Sequence, residues 1–297
     1  MQFMANRPMI SPMKHALRPP SRLAFKALAV AALVAMAAAC GSDESPGSER
    51  TLPETGGAST GGARPASETR SEGTGAPAWA WTGQEWTNLG GPATECPDEL
   101  VMPVDLSLAT GLLYPGQVRG DYKAHGGFRF GGVEAYDVPV VSPVDGVLIR
   151  GAHYLASGEL QYTLDIVHPC GLMVRLGHLR ELTPEWTAVF EDFPPPVELD
   201  SRSTQFEPSP TVTAGEPIAV AVGVVGTSNT FIDMGVYDLR HRNASSTDPA
   251  WLAEHNNDTH AYGLCWFGMF GAAAEVAIEA LPPADQAMGA TSDYCAP

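Results

Sequence analysis

From about residue 138 onward, apolar residues come in short runs broken by turn-forming residues. Val138-Pro139-Val140-Val141, Gly146-Val147-Leu148-Ile149-Arg150, Tyr162-Thr163-Leu164-Asp165-Ile166-Val167 and Leu172-Met173-Val174-Arg175-Leu176 are rich in β-branched and apolar side chains, with Gly, Pro, Asp or Ser between them. That pattern predicts strands. The break at His168-Pro169-Cys170-Gly171 is short enough to predict a hairpin. Ile218 to Gly226 is a further apolar stretch, and Asp233 to Arg240 alternates as an edge or half-buried strand does. Helix is predicted only at Pro249 to Glu254 and Ala272 to Ala280, each short. The fold class is therefore mainly β, an antiparallel barrel or sandwich with few helices.

Upstream the pattern changes twice. Residues 41 to about 78 are dominated by Gly, Ser, Thr, Glu, Pro and Ala, with Leu52 the only large apolar residue. Such a stretch buries too little surface to offset its ordering entropy and predicts a flexible tether. Aromatics return at Trp79, Trp81 and Trp86, expected to pack onto the core of a single domain over residues 79–297. Before the tether, Arg18, Arg22 and Lys26 precede the apolar run Ala27 to Ala39, which ends in small residues and Cys40. This is the order of an export signal. The run of 13 residues is shorter than the roughly 20 needed to span a bilayer. Ala37-Ala38-Ala39-Cys40-Gly41 resembles a lipobox, although Ala stands where Leu is usual. The expectation is a signal over residues 1–39, lipidation at Cys40, and an exported chain anchored by lipid on the periplasmic or cell-surface side.

Charge and cysteines fit that picture. Cleavage would remove five of the 17 basic residues, leaving 12 against 34 acids, a net of −22. Such a surface argues against nucleic acid as a partner. Cys96, Cys170, Cys265 and Cys295 form an even set with no Cys-x-x-Cys pair. Two disulfides are expected in an oxidising compartment, and three pairings are open, of which we take Cys96 with Cys170 and Cys265 with Cys295.

Between about residues 115 and 240 a further set of motifs follows in order. His125-Gly126-Gly127 leads to Val138-Pro139-Val140-Val141-Ser142-Pro143-Val144-Asp145-Gly146. After the hairpin come Gly177-His178-Leu179, then Ala214-Gly215-Glu216-Pro217-Ile218, then Met234-Gly235-Val236-Tyr237-Asp238-Leu239-Arg240. This order resembles the LytM or lysostaphin-like zinc endopeptidases that cut peptidoglycan peptides. The resemblance implies a LytM-like β fold, with His125 at the first metal-ligand position and His178 at the first catalytic position. It also implies an aspartate four residues after His125, where this chain has Arg129, and a cation cannot ligate zinc. The next acids, Glu134 and Asp137, would need a rebuilt loop. In the best-matching register Met234 stands at the second catalytic histidine and Val236 at the third ligand. A slip of one or two residues offers Asp233, Gly235 or Tyr237 instead.

His125 and His178 are thus expected to be vestigial, with no cofactor, or zinc if a carboxylate such as Asp121, Asp137, Asp233 or Asp238 rebuilds the site. The expectation is a degenerate domain, a pseudoenzyme that binds peptidoglycan or an envelope protein. An active zinc metallo-endopeptidase with rearranged ligands is the alternative, and a structural envelope scaffold the second. The long acidic insertion Glu181 to Thr211, with Pro194-Pro195-Pro196, is expected to border or cover the groove.

Overall fold

Residues 75–91, 94–132, 137–227 and 229–295 are described by a computed structural model. The signal 1–39, Cys40, the tether up to residue 74, and Glu134 lie outside these residues. Among the described residues no helix is long and apolar enough to cross a membrane.

Short strands carry the chain into the sheet: β1 Trp79–Trp81, β2 Trp86–Asn88, β3 Gly111–Leu113, β4 Gln117–Arg119, β5 Asp121–Lys123, β6 Gly126–Arg129 and β7 Val140–Val141. Three long ones follow, β8 Gly146–Ala156, β9 Glu159–Val167 and β10 Leu172–Leu182, then α1 Pro184–Ala188. The chain continues through β11 Thr204–Gln205, β12 Thr211–Val212, β13 Pro217–Val222, β14 Phe231–Asp238, α2 Pro249–His255 and α3 Ala272–Glu279. The main sheet is antiparallel and open, in the order β11-β8-β9-β10-β14-β6-β3, with β12, β13 and β7 attached beside it. The protein is therefore mainly β and sandwich-like, and the sheet does not close into a barrel.

Alternation along the central strands divides the sheet into two faces. Leu148, Leu164, Ile166, Val174, Leu176, Ile232, Met234 and Val236 enter the larger core, with Trp266, Phe267 and Ile278 from the C-terminal segment. On the other face Val167, Met173 and Tyr237 pack under Trp79, Trp86, Ala261 and Tyr262. Trp79 and Trp86 are thus core residues, with Trp81 partly buried against them, and both are tied by the indole: Trp79 Nε1 donates to the Pro169 carbonyl and Trp86 Nε1 to that of Asp258. Disulfides join Cys96 to Cys170 and Cys265 to Cys295, the pairing taken from the sequence.

The acidic insertion is anchored by its rings. Its aromatic residues Trp186, Phe190 and Phe206 are buried in the larger core, and Phe190 meets Tyr162 at 5.0 Å between ring centroids. The segment also lies along β8, through β11, β12 and the backbone bonds of Leu155 with Val197 and Leu199.

Candidate functional site

Two glycines let the site strands approach. At Gly127 φ is +147°, and a Cβ there would collide with the Ile232 carbonyl. Only glycine lets β6 lie this close to β14. Gly177 is the partner of Asp233 on β10, and Gly127 its partner on β6. Asp233 consequently stands on the sheet face between two residues without side chains. His125 immediately precedes β6, its carbonyl held by Arg119 Nη2 at 3.0 Å.

His178 reaches the same place through a backbone irregularity. The register of β10 against β9 shifts between Leu176 and Leu179, and His178 takes φ +55°, a left-handed conformation rare for a residue with a Cβ. Such strain, costing about 1–3 kcal/mol, persists only where surrounding structure over-determines it. Here the amide of Gly223 holds the His178 carbonyl at 2.8 Å, and Phe231 packs on its ring at 4.3 Å between centroids.

The result is a His–Asp–His arrangement. His125 Nε2 is 3.1 Å, and His178 Nε2 3.6 Å, from the same Asp233 oxygen, Oδ2. His178 Nδ1 faces Gln161 Oε1 at 3.2 Å. Burial by itself would raise the Asp233 carboxyl, but His125, His178 and Arg119 together hold it well below the usual carboxylate range. For His178, burial lowers the imidazole more strongly than Asp233 raises it, which favours the neutral ring.

Of the four candidate carboxylates, Asp233 alone joins the two histidines. Asp121 pairs with Lys123 at 3.7 Å, Asp238 pairs with Arg240 and His241, and Asp137 is exposed. The best-matching sequence register is also corrected. Met234 and Val236 point into the apolar core because they share the face of Ile232, so Asp233 and Gly235 are the residues turned to the site. Gln161, Phe231, Tyr154 and Arg119 were not singled out by sequence. For Asp233 and Gly235 a signal existed in the alternation of Ile232, Met234 and Val236 with Asp233, Gly235 and Tyr237.

The zinc set implied by the resemblance does not fit these residues. Arg129 lies opposite Phe231, two positions along β6 from Gly127 and hence on the site face. At Gly235 an added Cβ would come within 2.7 Å of Tyr237 Cζ, so the Tyr237 ring fills the space a ligand side chain would need. Two of the three implied ligand positions are thus occupied by Arg129 and Gly235, and among the described residues no group of three His, Cys, Asp or Glu is placed to hold a metal ion.

A third histidine should make the domain acid-sensitive. His260 is half-buried beside Tyr122, with its Nδ1 lacking a hydrogen-bond partner. Burial, then the neighbouring His255, lowers it from 6.5 to about 4. A folded-state value below the unfolded one means that the unfolded chain binds more protons between about 4 and 6.5, so stability falls as pH drops through that window. Discounted for partial exposure, the loss should be about 1–2 kcal/mol, with His178 adding in the same direction. Urea midpoints at pH 7 and pH 5 should show it, and His260→Gln should shrink the difference; equal midpoints in the wild-type protein would refute it.

Comparison with known proteins adds little to this geometry. No family model matches the chain, and no curated protein does. Among solved structures, that of Helicobacter pylori Csd3, from an orthorhombic crystal, aligns at 14% identity with a TM-score of 0.29, covering 61% of this chain and 39% of that one. This chain thus spans well under half of the Csd3 chain.

Proposed function

We propose that the protein is an exported, lipid-anchored cell-envelope lipoprotein whose β domain is a degenerate LytM-like module that binds peptidoglycan and does not cut it with zinc. The observation that carries the reading is the face of β14. Asp233 and Gly235 occupy the two site-facing positions where the resemblance implies a His-x-His pair, and Tyr237 closes over Gly235. His125 and His178 are retained but joined through a carboxylate. Export is supported by the two disulfides, which persist in oxidising compartments, and by the signal-like N-terminal segment. For such a domain the anchor at Cys40 acts by raising the local concentration of a binding surface beside the wall.

Three measurements on the full chain expressed in a bacterial host test this. Palmitate labelling should be lost in Cys40→Ser. The purified mature protein should carry far less than one zinc per chain. Isolated sacculi should retain it on sedimentation without releasing soluble muropeptides. Stoichiometric zinc that disappears in His125→Ala, together with peptide release from sacculi, would establish the metallo-endopeptidase instead.

A further inference from the structure

Asp233 and His178 present two acceptors to one another. Gln161 is wholly buried and uses its Nε2 hydrogens on the carbonyls of Leu160 and Gly223, at 3.1 and 3.0 Å, which leaves Oε1 as the acceptor facing His178 Nδ1. The proton of a neutral His178 therefore sits on Nδ1, and Nε2 turns a bare lone pair toward Asp233. The 3.6 Å separation from Oδ2 is too long for a hydrogen bond. It is longer still than the roughly 2.7–2.9 Å of an imidazolium–carboxylate pair. His125 supplies its own Nε2 to the same oxygen at 3.1 Å, so the unmatched acceptor lies on the His178 side.

The surroundings narrow what satisfies this pair. The side chains of His178 and Asp233 remain 21% and 17% exposed, so a small group can reach them from solvent. Phe231 lies against His178, and the Tyr154 ring stands 6.2 Å from it between centroids. Arg119 gives Nη hydrogens to the Tyr114 and His125 carbonyls and to Gln117 Oε1, and donates none to Asp233. Two acceptors flanked by aromatic rings match a primary ammonium, which brings three N–H donors and a charge that aromatic faces attract. A zinc site would draw His125 in as a third donor, whereas His125 Nε2 is already paired with Asp233 Oδ2 at 3.1 Å.

We propose that His178 and Asp233, walled by Phe231 and Tyr154, recognise a primary ammonium group, such as the free amine of a wall peptide. The wall as source of that amine rests on the function proposed above. The ammonium donates one hydrogen to His178 Nε2 and another to the Asp233 carboxylate, and no covalent step is involved.

The mature protein with 15N-labelled histidine can be titrated at pH 7 with n-butylammonium, and with n-butanol as a neutral molecule of the same shape. The His178 Nε2 resonance should move saturably with the amine and stay still with the alcohol. Affinity should fall at least tenfold in Asp233→Asn and severalfold in Phe231→Leu, a variant that leaves both acceptors in place should the first fail to fold. In parallel, N-acetylated sacculi should bind at least tenfold more weakly than untreated ones. The ammonium site is overturned if the alcohol shifts His178 equally, if Nε2 already carries a proton in the free protein, or if zinc binds stoichiometrically and excludes the amine. Retention on sacculi that acetylation leaves unchanged, with His178 unmoved by butylammonium, sinks the site and leaves wall binding standing. Saturable butylammonium binding without retention on sacculi supports the site and sinks its assignment to the wall.

Discussion

Asp165→Ala is expected to lower the free energy of unfolding by about 3–5 kcal/mol, the usual result of stranding buried charge. Asp165 is 1% exposed, and its carboxylate accepts from Arg150 Nε at 2.5 Å and from Arg175 Nε and Nη2 at 2.7 and 2.8 Å. The three residues face one another across β8, β9 and β10, so strand register alone assembles them. Burial would raise the Asp165 carboxyl, but Arg175 and Arg150 bring it down to about 2. Deleting the carboxylate leaves two guanidiniums beneath the Trp86 hairpin with too few acceptors. Arg150 keeps Asp258, so the damage should concentrate on Arg175. Urea unfolding at pH 7 gives the measurement. Replacing all three residues with apolar ones of similar volume should restore much of the loss. A change below about 1 kcal/mol for Asp165→Ala would mean that solvent reaches these arginines far more freely than the packing indicates.

That network marks where sequence reading stops. The hairpin around His168 to Gly171 was legible because two apolar runs flank a four-residue turn, and the observed strands β9 and β10 end and begin there. Helices α2 and α3 followed from short uninterrupted stretches, α2 opening on Pro249 with Asp248 as its cap. His125 and His178 were legible as a pair by motif order. What joins them was not, because Asp233 lies on a third strand whose register against β6 and β10 is a tertiary fact. The direction of His178 was hidden too. Strict alternation would place Gly177 and His178 on opposite faces, and the bulge with positive φ overrides it. On β14 the motif comparison favoured Met234 and Val236, whereas the hydrophobic alternation already assigned them to the core. The insertion was read through its acids and prolines, but Trp186, Phe190 and Phe206 decide where it packs.

Gly235→His would put a histidine where the resemblance implies a zinc ligand, and it is expected to fail twice. The added Cβ would lie 2.7 and 2.8 Å from Tyr237 Cζ and Cε2, well inside van der Waals contact. Tyr237 cannot swing aside easily, since it is fully buried in the cluster that holds Trp79, Trp86 and Met173. Overpacking of this kind costs about 1–3 kcal/mol and sometimes more, so the urea midpoint should fall clearly. No zinc should be gained, because Arg129 still stands where the resemblance implies an aspartate ligand. Gly235→Ala isolates the steric part, since it adds the same Cβ without a ligand. Combining it with Tyr237→Leu should give a penalty smaller than the sum of the two single ones, the coupling expected of residues competing for one space. A stable Gly235→His protein that takes up one zinc per chain would show that the ring yields and that this face of β14 remains one substitution from a metal site. An unstable, metal-free protein would show that closure by Tyr237 is built into the packing, which leaves this face of the sheet with the carboxylate and histidines it already has.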